Sequence, residues 1–241
     1  MDLYKSHLVR RELIAEGTMA FYFAKPDGYD YQPGQSFQLT LIDPPPTDDS
    51  KGPTREFTIA SAPHQDELMV AMRLRDSAFK ELLKEAPPGT PVTISEADGD
   101  LVLHRDAARP AVLLAGGIGI TPFLSIARHA VHASLQHPIH LFYSNWRREL
   151  AAFLPELEQL QQANPNCRLI ATMTEPHASA QPWAGETGEI SVELLRRHLD
   201  DLMSPVYYLA GPPAMTLAML DMLQEAGVDD AAIKSAEFYG Y

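Results

Sequence analysis

The chain has 241 residues, 45% hydrophobic and 21% charged, which is ordinary for a globular protein and enough for one large domain or two modest ones. With 19 Lys and Arg against 32 Asp and Glu the formal charge is −13, which repels phosphate backbones and anionic lipid and sets nucleic acid aside as a partner. A single cysteine, Cys167, excludes an internal disulfide and any cysteine-ligated iron–sulfur cluster. No apolar run reaches membrane-spanning length, so no membrane insertion is expected. The start, Met1-Asp2-Leu3-Tyr4-Lys5, lacks a basic segment followed by an apolar one, and the expectation is a cytoplasmic protein.

The first hundred residues read as strands. Short β-rich segments fall at 7–14, 19–24, 36–42, 57–60, 68–73 and 91–95, separated by turn residues such as Gly17, Pro26-Asp27-Gly28, Pro33-Gly34 and Pro87-Pro88-Gly89. Six such strands suggest an antiparallel barrel. One helix, 78–85, interrupts them with Ser77 as a natural N-cap. The Pro- and Asp-rich stretch 43–53 reads as a solvated loop.

Near 103–109 the rhythm changes. Residues 111–115 form a continuous apolar run, as a parallel strand buried on both faces would. Helix 122–133, strand 139–143, helix 152–163, strand 168–172, helix 192–199, strand 206–209 and helix 213–226 complete an alternation that implies a parallel sheet covered on both sides. The expected domains are 1–105 and 106–241.

Two segments carry chemistry. Ala115-Gly116-Gly117-Ile118-Gly119-Ile120-Thr121-Pro122 joins a buried strand to a helix. Glycines there let backbone approach a ligand, Thr121 can cap the helix, and Pro122 fits a first-turn position. Exposed amides and the helix dipole then favour a diphosphate, the alternative being a tight turn with no ligand. A proline stands where the usual G-x-G-x-x-G has its third glycine. The second segment, Arg55-Glu56-Phe57-Thr58, alternates an arginine, an aromatic and a hydroxyl along a strand, with Arg55 and Phe57 on one face.

Taken together and in this order, the two segments resemble the ferredoxin–NADP reductase superfamily. Arg55-Glu56-Phe57-Thr58 matches its R-x-[YF]-[ST] flavin motif, and Gly116 to Pro122 matches its G-G-x-G-x-[TS]-P nicotinamide motif. Tyr208-Leu209-Ala210-Gly211-Pro212-Pro213 is similar to its C-G-P-P turn, and Ala236-Glu237-Phe238-Tyr239-Gly240-Tyr241 to its acidic–aromatic tail. The resemblance implies an antiparallel six-stranded FAD-binding β-barrel followed by an α/β parallel-sheet NAD(P)-binding domain. It implies bound FAD rather than FMN, and NADPH or NADH as hydride donor.

The resemblance also implies residue roles. Arg55 binds flavin phosphate, Phe57 packs on the ribityl chain or ring without the hydroxyl of the family's tyrosine, and Thr58 lies near flavin N5. Arg73 and Leu74 touch the isoalloxazine and diphosphate. Ser77 either binds phosphate or only caps its helix. Gly116, Gly117, Gly119, Thr121 and Pro122 hold the coenzyme diphosphate. Gly211 and Pro212 flank the nicotinamide, with Ala210 where many relatives have a cysteine. Phe238 stacks on the flavin, Tyr241 being the runner-up. Catalysis thus falls to Thr58, Ala210 and Phe238 as positioning groups around the cofactor, which supplies the redox chemistry.

Residues 144–148, after the second parallel strand, sit where the adenine ribose lies in such sheets. Ser144, Arg147 and Arg148 suit a 2′-phosphate and no acidic residue is among the five, so the reading leans to NADPH. His129 and His132 lie three apart on one helix without a third ligand, and no metal is expected. The implied reaction is hydride transfer from NAD(P)H to flavin, then electron delivery to a ferredoxin, a flavodoxin, an oxygenase component or a small molecule. An electron-relay component of a larger redox complex, or a reductase that releases free reduced flavin, are the alternatives.

Overall fold

The computed structural model describes residues 3–45, 52–75 and 77–237. The first half contains strands β1 (Leu3–Ala15), β2 (Thr18–Ala24), β3 (Ser36–Leu41), β4 (Thr54–Thr58) and β5 (Glu67–Arg73), helix α1 (Ala78–Glu85) and strand β6 (Pro91–Ser95). They form one antiparallel sheet in the order β4-β3-β6-β1-β2-β5. The long β1 serves two neighbours: Leu3 to His7 pair with β6, and Leu8 to Ala15 pair with β2 through two register shifts. Such shifts bend a strand. The sheet closes because Ala60, just past β4, donates its N–H to Met69 O of β5 at 2.7 Å.

Period-two alternation sorts the side chains. Phe21 and Phe23 of β2, Leu68, Val70 and Met72 of β5, Phe37 and Leu39 of β3, and Val92 and Ile94 of β6 fill the barrel. Ala20, Met69 and Ala71 point the other way and are buried too, against the second domain. Strand β5 is therefore apolar on both faces. Each large side chain so buried contributes about 1.5–3 kcal/mol.

The second half contains β7 (Ala111–Gly116), α2 (Thr121–His132), β8 (Ile139–Asn145), α3 (Leu154–Ala163), β9 (Cys167–Met173), β10 (Glu186–Thr187), α4 (Val192–His198), β11 (Val206–Gly211), α5 (Pro213–Glu225) and β12 (Ile233–Glu237). The sheet is parallel, in the order β10-β9-β8-β7-β11-β12. Leu113 and Ala115 of β7 face α2 and α3, while Val112 and Leu114 face α4 and α5. No helix among the described residues is long and apolar enough to cross a membrane.

Differences from the sequence reading have local causes. The fourth strand lies at Thr54–Thr58 rather than 57–60, because Ile59 and Ala60 already turn toward β5. Helix α3 starts at Leu154 rather than 152 because Phe153 takes a left-handed conformation, φ 62°. The edge strands β10 and β12 were not anticipated; β10 has two residues, too few for a periodicity.

Partly desolvated imidazoles make the fold acid-sensitive. His104 in the interdomain segment receives the Tyr208 hydroxyl and faces Arg109 O through Nε2 at 2.9 Å, a pattern complete with the ring neutral. Burial first, and cationic neighbours second, hold His64, His129 and His140 below the ordinary histidine range; His104 is lowered by burial too. His64 and His132 stack across the domain seam at 3.7 Å. Below about pH 6.5 the unfolded chain therefore binds more protons than the folded one, and stability is lost as the pH is lowered. The melting temperature should be lower at pH 5.5 than at pH 7.5, before carboxylates titrate; an unchanged value by circular dichroism would refute this.

Candidate active site

The glycine turn is built by close packing. After β7, residues Gly117–Ile120 form one 3₁₀ turn leading into α2. A Cβ on Gly119 would lie 2.3 Å from Ala210 O and 2.7 Å from Gly211 Cα, so this position presses backbone on backbone against the end of β11. Two separate sequence motifs thus make one wall. Gly117 has φ +53° and faces the barrel: a Cβ there would sit 3.0 Å from Arg73 Nη2. Thr121 does not cap as expected. It is the first residue of α2, it is buried, and its hydroxyl donates back to Ile118 O at 3.1 Å. Pro122 follows in the first turn.

On the barrel, β4 carries Arg55-Glu56-Phe57-Thr58 paired with β3, Leu39 opposite Arg55 and Ser36 opposite Thr58. The Arg55–Phe57 face looks at α1. The rings of Phe57 and Phe79 are 6.0 Å apart, and the Arg55 guanidinium lies 5.1 Å over Phe79. Arg55 Nη1 also donates to Gly52 O and Thr54 O. Glu56 turns away and accepts from Ser36. Ser77 occupies the N-cap of α1, yet its hydroxyl makes no capping bond. Burial, then the charges of Arg75 and Arg55, push the Lys80 ammonium below its usual range. Three cations therefore gather at the start of α1 in a protein of charge −13.

Arg73 ends β5 and reaches across to Gly117, and its charge is felt by Tyr143 of β8. Leu74 packs on the barrel core, and its amide is taken by Gly17 O. The barrel strand next to the arginine motif and the glycine turn thus meet at one junction.

At the end of β8, Ser144 is buried and Trp146 exposed. Arg147 is engaged: Nη2 meets Glu16 Oε1 of the β1–β2 turn at 2.7 Å, and Nη1 meets Glu149 Oε2 at 3.5 Å. Arg148 sits half-buried in a short 3₁₀ turn. Glu149 accepts from Ser179 Oγ and Ala180 N–H, both at 2.8 Å. Behind it lies a cleft of about 740 Å³ in the segment that joins β9 to β10, lined by Thr174, His177, Ser179, Gln181, Trp183 and Thr187. Sequence reasoning missed this cleft. Its signal was Trp183-Ala184-Gly185, since a Cβ on Gly185 would lie 2.5 Å from the Trp183 ring.

Gly211 and Pro212 turn beside the glycine loop, and the Ala210 side chain is wholly buried in the core cluster. Phe238 and Tyr241 lie outside the described residues. Strand β12 runs beside β11 as far as the Gly211–Glu237 pair.

Residues 113–221 match the family model for the oxidoreductase NAD-binding domain. One component of the Na⁺-translocating NADH-quinone reductase of Methylococcus capsulatus is 31% identical over 157 residues, 64% of this chain and 38% of that protein. A flavohemoprotein of Rhodopirellula baltica is 32% identical over 135 residues, 55% of this chain and 33% of that protein. The chain therefore spans well under half the length of these relatives. Among solved structures, a ferredoxin NADP⁺ reductase from Neisseria gonorrhoeae with bound FAD and NADP superposes with a TM-score of 0.80 at 20% identity, covering 98% of both chains. The FAD/NAD-binding domain of nitric oxide dioxygenase from Vibrio cholerae gives 0.79 at 18% identity, covering 97% of this chain and 98% of that one.

The junction makes a test available. Gly119→Ala must displace backbone of β11 and should destabilise by about 3 kcal/mol. Gly117→Ala meets only the end of a flexible arginine and a left-handed backbone, about 1–2 kcal/mol. Urea unfolding of the two variants should rank them in that order; equal midpoints would contradict the packing.

Proposed function

We propose that this chain, which has the two-domain fold of the ferredoxin–NADP reductase superfamily, is an NAD(P)H-dependent flavoprotein reductase that binds FAD and passes electrons to a separate acceptor. One observation carries the reading: Arg73 of the barrel rests on Gly117 of the glycine turn, so the arginine-motif side and the diphosphate loop open on one junction. Opposite sides of the molecule would have defeated it.

The residues fit an FAD. The uncapped Ser77 and the first amides of α1, with Arg55, Arg75 and Lys80 around them, suit a diphosphate. Phe57 offers a flat apolar face beside Phe79, and Thr58 closes the same strand. When bound, FAD accepts hydride from a nicotinamide and gives up its electrons one or two at a time.

The coenzyme's diphosphate falls to the glycine turn that begins at Gly117 and to Arg73, which takes a role on the coenzyme side beyond the flavin contact expected of it. Its nicotinamide rests against the Gly211-Pro212 turn, and its adenosine reaches Ser144 and the cleft behind Glu149, at the carboxyl ends of the strands. Thr58, Ala210 and the tail aromatics Phe238 and Tyr241 act by position, the cofactor supplying the redox chemistry. The acceptor is a small redox protein or an oxygenase component. A solved neighbour is the ferredoxin reductase in carbazole 1,9a-dioxygenase, with a TM-score of 0.81.

The purified protein should be yellow, or take up added FAD, and its flavin absorbance should bleach in anaerobic titration with NADH or NADPH. Colourless protein that takes up no FAD would overturn the reading. Arg55→Ala removes a charge-assisted contact worth about 1.5–3 kcal/mol, so FAD affinity should fall roughly 10- to 100-fold.

A further inference from the structure

Of the two arginines that the sequence offers for a 2′-phosphate, Arg147 is already paired within the protein. Arg147 lies between two carboxylates, Glu16 Oε1 at 2.7 Å and Glu149 Oε2 at 3.5 Å. Glu16 belongs to the β1–β2 turn of the barrel, and its own amide donates to Glu149 O at 2.9 Å, which fixes it beside the end of β8. Glu149 is held in turn by the Ser179 hydroxyl, at 2.8 Å to Oε1 and 3.0 Å to Oε2, and by the Ala180 amide. Its carboxyl is kept below the usual carboxylate range by its own amide first and the Ser179 hydroxyl next.

Counting the charges at this strand end, Arg147 and Arg148 are balanced by Glu16 and Glu149. A 2′-phosphate brings about two more negative charges. To recruit Arg147 it would displace Glu16 from the guanidinium and then stand beside both carboxylates, and like charges so placed weaken binding by more than about tenfold. A ribose 2′-hydroxyl meets no such obstacle. A carboxylate accepts about four hydrogen bonds, and among the described residues Glu149 Oε2 meets a shared serine proton and a long contact to Arg147. An acidic acceptor after the second strand of a nucleotide-binding sheet is the arrangement that reads a 2′-hydroxyl.

We infer that the Glu16–Arg147–Glu149 chain of ion pairs makes the protein select the coenzyme with a free 2′-hydroxyl, NADH, over NADPH, with Arg147 serving as an interdomain tether rather than a phosphate reader. This rests on the reading of the β8 end as the adenosine site.

Direct binding tests it without turnover. Calorimetric titration of the full chain with 5′-AMP and with 2′,5′-ADP should give at least about tenfold tighter binding of 5′-AMP. Glu16→Gln should raise 2′,5′-ADP affinity about tenfold and leave 5′-AMP unchanged, because it releases Arg147. Arg147→Ala should leave the preference in place. Tighter binding of 2′,5′-ADP by the parent chain, lost selectively in Arg147→Ala, would overturn the inference, as would a preference unmoved by Glu16→Gln. Binding of neither fragment would remove the adenosine site and this inference with it. Tight 5′-AMP binding without flavin reduction by NADH would support the inference and defeat the catalytic reading alone.

Discussion

The Ala60-Ser61 corner is the piece on which the arrangement depends. It follows the arginine motif directly. Ala60 N–H closes the barrel onto Met69 O, and Ala60 O accepts from Arg128 of α2 at 3.0 Å. Ser61 O accepts from Ser125 of α2 at 2.6 Å and from Tyr31, while Ser61 Oγ accepts from Met69 N–H. Arg128 is held from behind by a two-pronged pair with Glu156 of α3, at 2.6 and 2.9 Å. Charge-assisted, two-pronged contacts of this kind fix geometry as well as energy. Two consecutive peptides therefore do what two separate interfaces would otherwise do: they end the flavin-motif strand, seal the barrel and bolt it to the helix that starts at the glycine turn.

Small residues ease that bolt. Ala20, Ala60 and Ala71 sit with Met69 on the barrel face that meets the second domain, so β2 and β5 approach α2 with a single large side chain of β5, Met69, between. Because β5 lies in this seam, its last residue, Arg73, emerges at the glycine turn. The placement of a cation on Gly117 is thus a consequence of seam packing and strand length.

Much of this was legible in the sequence because it is local. The buried run of β7, the glycine turn and the proline of α2's first turn each carry their own signal within a few residues. Ser77 was legible as a cap position, though what its hydroxyl does was not. The failures are non-local. Nothing near Arg147 announces Glu16, 131 residues away, so the arginines after β8 read as available for phosphate. Nothing near Gly119 announces that its missing Cβ is demanded by Ala210 O rather than by a ligand. Strand β12 escaped because its residues, Ile233–Glu237, are mixed in polarity and are ordered by pairing along the edge of β11.

The charge distribution joins these parts. A chain at −13 cannot hold two diphosphates unless its few cations are spent at chosen places. Arg55, Arg75 and Lys80 gather at the start of α1, and Arg73 stands at the glycine turn. Arg128 is consumed by the seam, and Arg147 by Glu16 and Glu149. The cations thus divide by their surroundings: those around the start of α1 and the glycine turn, where a ligand would bring negative charge, and Arg128 and Arg147, each paired with carboxylates at the domain seam. On this division an arginine's neighbours, more than its position after a strand, decide whether it reads a phosphate or holds two domains together.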